Sequence, residues 1–214
     1  MPGLDVIKKL QTSGIGREEL EDIYRRHLND YRVLFHLAQH PNFPQGLAQG
    51  ILSKLYAVDL VRVVKNVRAN PFIRKKAELE FGQRYRRLAL GEKISLLKMA
   101  PNALLLSFSE ENQPQLLLAI LQNPSCNEDV VLRFVNRPQD RSTFYQALAE
   151  TTWPRNPAVA QAIAHDPEAP IRMLVKIIPF LGLSGLQKLF DDPSTHQAVR
   201  DQIKIFLERR GARH

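Results

Sequence analysis

Cysteine is nearly absent from this chain: Cys126 is the only one among 214 residues, which excludes an internal disulfide. Aromatic residues make up 7%, so the apolar bulk comes mainly from Leu, Val, Ile and Ala, a composition suited to packed helices. No apolar run approaches the ~18 residues of a membrane span. The N-terminal Met-Pro-Gly-Leu-Asp-Val-Ile-Lys-Lys has no apolar core of signal-peptide length. Together with the lone cysteine, these absences lead to the expectation of a cytoplasmic protein with no membrane partner. Sustained apolar–polar alternation and Asn-Gly hairpin turns are missing too, so no strand is predicted.

Catalytic and cofactor signatures are equally scarce. Gly14-x-Gly16 lacks the third glycine and the preceding strand of a dinucleotide loop, and Gly182-x-x-Gly185 reads as a helix junction. There is no phosphate loop, no nucleophile elbow and no cysteine pair. No catalytic residue, cofactor site or metal site is therefore predicted.

What the chain does have is proline, 14 of them against 10 glycines, set between apolar runs rather than gathered in one tract. A proline fixes its own φ, lacks an N–H and pushes the preceding residue out of the helical region. Asn or Asp in that preceding place tolerates the turn, and proline suits the first turn of the next helix. The dipeptide is therefore a corner between two helices. The central example is the stretch from Ala119 to Val135, where a greasy helix ends at Asn123-Pro124 and Asn127 caps its successor. Corner prolines fall at 41, 71, 101, 124, 157, 167 and 193, at intervals of 30, 30, 23, 33, 10 and 26. Most intervals approach the ~30–45 residues of two-helix repeats.

Helical spacing of apolar residues predicts helices over 4–12, 17–29, 31–39, 45–55, 59–67 and 72–88, one opening at Leu90-Gly91 before the Met99-Ala-Pro101 joint, then 102–108, 116–121, one behind the Asn127 cap that packs through Val130–Val135, 139–151, 158–164, 171–181, one from the Gly182–Gly185 junction to Phe190, and 195–210. Several details follow. Leu20, Ile23, Tyr24, His27 and Leu28 form an inward stripe, as do Leu60, Val61, Val64 and Val67. Ile73, Ala77, Phe81, Tyr85 and Leu88 form the buried stripe of the longest basic helix, with Phe72 at its start. Pro179 kinks or breaks its helix, and Ser194 caps the last one, where Val199, Ile203, Phe206 and Leu207 face in. The expected organisation is one helical-repeat domain over 1–214: capping helices at 1–39, degenerate repeats at 40–193, and a capping helix with a basic tail at 194–214.

The Asn-Pro corners, Leu-Ala-Leu-Gly-Glu-Lys-Ile at 88–94, Leu-Gln-Asn-Pro-Ser-Cys-Asn-Glu-Asp-Val-Val-Leu at 121–132 and His-Asp-Pro-Glu-Ala-Pro-Ile-Arg-Met-Leu at 165–174 resemble bacterial α-helical repeat proteins of the leucine-rich-repeat-variant and HEAT-like class. The resemblance covers roughly residues 40–207. It implies an all-α superhelix of about 12–15 short helices, and no catalytic motif.

Individual residues are weighed against ordinary structural roles. His36 and His40, one helical turn apart, lack the glutamate of a zincin motif and an obvious third ligand, so they read as structural. Cys126 follows a corner with no base partner and reads as a small packed residue. Glu110-Glu111 and Asp191-Asp192 read as turn and capping acids. Some HEAT-like proteins are alkylpurine DNA glycosylases with a Trp and an Asp in a basic groove. Trp153 and Asp166 raise that activity at the level of fold alone, and no motif matches.

Charge carries the strongest functional signal. The net charge is +8, and the segment from Arg62 to Lys98 alone holds eleven basic residues against three acidic. The expected function is a non-enzymatic scaffold or adaptor that binds another macromolecule, a protein. The alternative is a nucleic-acid-binding module using Arg62, Lys65, Arg68, Lys75, Lys76, Arg84 and Arg87.

Overall fold

The computed structural model describes residues 2–12, 14–137 and 141–211, and among these every regular element is helical. The described residues form fifteen α-helices. The first seven are α1 Pro2–Leu10, α2 Arg17–Arg26, α3 Tyr31–Ala38, α4 Ala48–Leu52, α5 Ala57–Lys65, α6 Pro71–Tyr85 and α7 Leu90–Met99. Then come α8 Asn102–Ser107, α9 Pro114–Leu121, α10 Glu128–Val135, α11 Ser142–Ala149, α12 Pro157–Ala164, α13 Ile171–Ile177, α14 Leu183–Asp191 and α15 Gln197–Gly211. Short 3₁₀ turns at Gln45–Leu47, Trp153–Arg155 and Ile178–Phe180 complete the set. No helix among the described residues is long and apolar enough to cross a membrane.

The corners work as their chemistry demands. The Asn70 side chain accepts from the Phe72 N–H at 2.9 Å, capping α6 behind Pro71. Asn156 accepts from Ala158 and Val159 ahead of α12, and Asn127 accepts from Val130 at the head of α10. Each satisfies N–H groups that a helix start leaves without an internal partner. The break foreseen at Pro179 is the 3₁₀ turn that follows α13.

Several helices are shorter than their apolar pattern. α5 stops at Lys65, because the Asn66 side chain accepts from the Arg68 N–H and turns the chain; Val67, expected inside, is 80% exposed. α2 stops at Arg26, which leaves Leu28 exposed as well. Ser194 caps nothing: its hydroxyl donates to Asp192 at 2.7 Å, α15 begins only at Gln197, and Leu207 lies on its exposed side. The residues expected to open the helix at 139 and the end of the basic tail at 212–214 lie outside the described residues.

Contacts divide the chain into two compact units, Met1–Leu104 and Leu105–His214. In the first, α5 packs on α6, α1 on α3, α4 on α6 and α5 on α7; the core holds Leu20, Leu37, Ile51, Leu60, Ile73 and Phe81. In the second, α9 packs on α11, α10 on α12, α12 on α13 and α13 on α15. Its core centres on the stacked rings of Phe134 and Phe144, 5.3 Å apart.

Polar side chains tie these layers at a recurring distance along the chain. Asn42 donates to the Ile15 carbonyl and Asn70 to the Phe43 carbonyl, both across 27 residues. Donor and acceptor have each moved on by 28 positions, so the second bond is the first one repeated. At Asn70 the two halves of one amide act in opposite directions: oxygen caps the helix ahead and nitrogen holds the turn behind. Aspartate, which cannot donate, could not do both.

The last carbonyls of a helix also lack internal partners. Here a later element supplies donors. Lys54 reaches Leu28 beyond α2, Arg84 reaches Leu52, Ser53 and Leu55 at the end of α4, and Lys176 reaches Ala149 at the end of α11. The Trp153 indole N–H donates to Leu121 at the end of α9, 2.8 Å away across 32 residues. Arg137, 5% exposed, donates to the Ser109 and Glu111 carbonyls and lies over the rings of Phe134 and Phe144.

Candidate macromolecule-binding face

The whole charge excess lies in the first unit. Met1–Leu104 holds 18 basic and 10 acidic side chains, net +8, whereas Leu105–His214 holds 12 of each. α5 and α6 with their flanking turns present most of that excess.

The seven candidate cations do not form one set. Arg62 turns to Asp59, 2.9 Å away on its own helix. Arg84 points toward α4: besides its three carbonyls it pairs with Glu80 at 2.8 Å. Lys75 pairs with Glu78 at 3.0 Å while remaining exposed. Lys76 lies over the Phe72 ring at 5.7 Å. Lys65, Arg68 and Arg87 are exposed, with no carboxylate partner among the described residues.

At 100° per residue, Phe72, Lys75, Lys76, Leu79, Gln83 and Arg86 fall within an arc of about 100° on α6. Ile73, Ala77, Phe81 and Tyr85, all buried, lie opposite. Arg86 continues the helical backbone just past α6. Phe72, expected at the start of the buried stripe, is 39% exposed, and Leu79 is 54% exposed. Sequence reading overlooked Leu79 and Arg86 as members of this face. Their positions on a helical wheel, opposite Phe81, were the available signal.

Two Tyr–Asp–Arg clusters, one per unit, are built alike. In the first, the Tyr31 hydroxyl donates to Asp59 at 2.5 Å, Arg62 holds the other carboxylate oxygen, and the Tyr56 N–H donates to the phenol oxygen. Burial, then the bond to Asp59, pushes the Tyr31 phenol up to about 12. In the second, Asp166 accepts from Tyr145 and from Arg141, which also bridges to Glu168 at 3.0 Å. Burial, then the Asp166 bond, pushes the Tyr145 phenol upward too. Both phenols stay protonated donors at neutral pH. Asp166 is thus pinned from two sides, and the Trp153 N–H is committed to the Leu121 carbonyl.

The remaining candidates have packing partners. His40 is buried: its Nδ1 accepts from the Asn42 N–H, which leaves Nε2 to donate to the Thr12 carbonyl at 3.0 Å. No group of three His, Cys, Asp or Glu suited to a metal occurs among the described residues. The Cys126 thiol is pushed up to about 12 by burial, far from a reactive thiolate. Glu111 accepts from the N–H groups of Asn112 and Gln113, and Asp191 from Gln187.

No family model, curated protein or solved structure matches this chain.

His36 gives a first expected result. Burial lowers its pKa below the ordinary 6.5, so the folded state holds this proton more weakly than the unfolded chain. Stability should fall as pH drops through about 6.5, and the loss is complete below the folded value. His36→Gln should show a shallower decline of the urea midpoint between pH 8 and pH 5. Parallel declines in parent and variant would contradict this role.

Proposed function

We propose that this protein is a non-enzymatic helical-repeat scaffold, of the leucine-rich-repeat-variant or HEAT-like kind, that binds another macromolecule, a protein, in the cytoplasm. The observation that carries the reading is the repeated bond at Asn42 and Asn70, backed by helix-end donors from later elements in both units. Stacking helix pairs in series generates such a spacing, since each pair can hide its apolar flank only on the next. It also leaves outward helix ridges free for a partner. The polar groups that could do chemistry, Asp59, Asp166 and His40 among them, are engaged in holding layers together.

The test joins capture and catalysis. The full chain, immobilised and offered to extract of its native cell, should retain a saturable protein partner that soluble chain competes away. Substrate turnover by pure protein, lost on a point change that leaves the unfolding curve intact, would sink the proposal.

The charge excess of the first unit favours one second reading, nucleic-acid binding. Its mark is a steep loss of affinity with salt. Arg84 and Arg62 are held by internal partners and Lys75 pairs with Glu78, so Lys65, Arg68, Lys76 and Arg87 would supply most of the phosphate contacts. No gel shift with any DNA or RNA at low salt removes it.

A further inference from the structure

We infer that the outer face of α6 is a docking ridge for an acidic amphipathic helix of a partner protein. The inference deepens the scaffold reading and rests on it. Scattered exposed apolar residues are ordinary on protein surfaces. This face differs in arrangement: Phe72 and Leu79 are seven residues apart on one side of a 15-residue helix, 39% and 54% exposed. Seven residues rise about 10 Å, two helical turns, the spacing at which one helix offers successive anchors to another. Lys76 and Arg86 flank the pair and are exposed, and Lys75, exposed as well, shares its charge with Glu78 on its own helix. The layout is an apolar seam between cations, and the complementary object has an apolar seam between carboxylates, as flanking charges do in paired helices.

The same layout argues against other polyanions. A phosphate backbone would satisfy the three cations and bury Leu79 against charge with no apolar counterpart. For bases this face offers a single ring, Phe72, with no second aromatic beside it to carry a following base. An anionic membrane favours a wide apolar face on a helix lying in the interface. Here the apolar seam is one side chain wide.

The experiment selects ligands for the full chain from a phage-displayed library of helical peptides, randomised at the apolar and flanking positions. Selected peptides should be acidic, with apolar residues at i, i+3 or i+4, and i+7. Their affinity should fall tenfold or more on Leu79→Glu and on Lys75→Glu/Lys76→Glu, all at exposed positions where the unfolding curve should hold. A peptide of the same composition in scrambled order should bind at least tenfold more weakly. No enrichment, enrichment without acidic flanks, or unchanged affinity for Leu79→Glu would overturn the inference. So would tighter binding of a duplex oligonucleotide or of phosphatidylserine vesicles, lost on the same substitution. If the captured cellular partner binds Leu79→Glu as well as the parent chain, the ridge falls and the scaffold reading stands. Turnover by the pure protein overturns the scaffold reading itself.

Discussion

Replacing Arg141 by Met should destabilise the second unit by about 3 kcal/mol, because it leaves a buried carboxylate without its cation. The Asp166 side chain is 5% exposed and that of Arg141 is 13% exposed, so water screens the pair weakly. Arg141 also donates to the Val135 and Arg137 carbonyls at the end of α10, and both bonds are lost in the same change. Tyr145 and the Glu168 N–H still donate to Asp166, which keeps the loss near the lower end for a broken buried pair. Urea unfolding measures the effect, and the Arg141→Met/Asp166→Asn double variant should recover part of it through a coupling of at least about 1 kcal/mol. Strictly additive losses would show that the ion pair is incidental to packing. The comparison also bears on the glycosylase-like alternative, since an Asp needed for chemistry would lose activity in the Asp166→Asn variant without this rescue.

Arg84→Met should cost about 2–4 kcal/mol in the first unit, despite removing one charge from its basic segment. The guanidinium is the donor for the Leu52, Ser53 and Leu55 carbonyls and the partner of Glu80. Buried carbonyls without donors cost about 1–3 kcal/mol each. Leu55 lies in the core and bears most of that cost, whereas the Leu52 carbonyl keeps the Leu55 N–H at 3.2 Å and Ser53 is exposed and can turn to water. Removal of Lys76, by contrast, should leave the urea midpoint almost unchanged, because it is exposed and its ammonium lies over the ring of Phe72, itself exposed. The contrast separates cations that hold the fold from those that face a partner. Equal stability of the two variants would mean that Arg84 holds nothing together.

That division could not be read from residue types. Arg84 and Lys76 look alike in a charge count over residues 62–98. They differ because eight positions on a helix is a rotation of about 80°, which brings one toward α4 and keeps the other outward. The wheel reveals the rotation; the presence of α4's carbonyl end beside Arg84 depends on packing across about thirty residues of chain.

Other successes and failures follow the same rule. Asn70-Pro71, Asn127 and Asn156-Pro157 were legible as corners because a cap acts within three residues of itself. The stripe of Ile73, Ala77, Phe81 and Tyr85 was legible because periodicity is local. Val67, Leu28 and Ser194 were misplaced for a different reason: turn hydrogen bonds compete with apolar pattern at helix ends, and the turns prevail there.

Sequence order alone thus settles which stretches of this chain are helical, which flank of most of them is apolar and where the charge excess lies, since propensity, capping and periodicity act over a few residues. Folding in space settles which cations close helix ends and which carboxylates are pinned. Those outcomes need partners brought together from about 20 to 30 residues away, and the free energy of burying a polar group depends on whether that partner arrives.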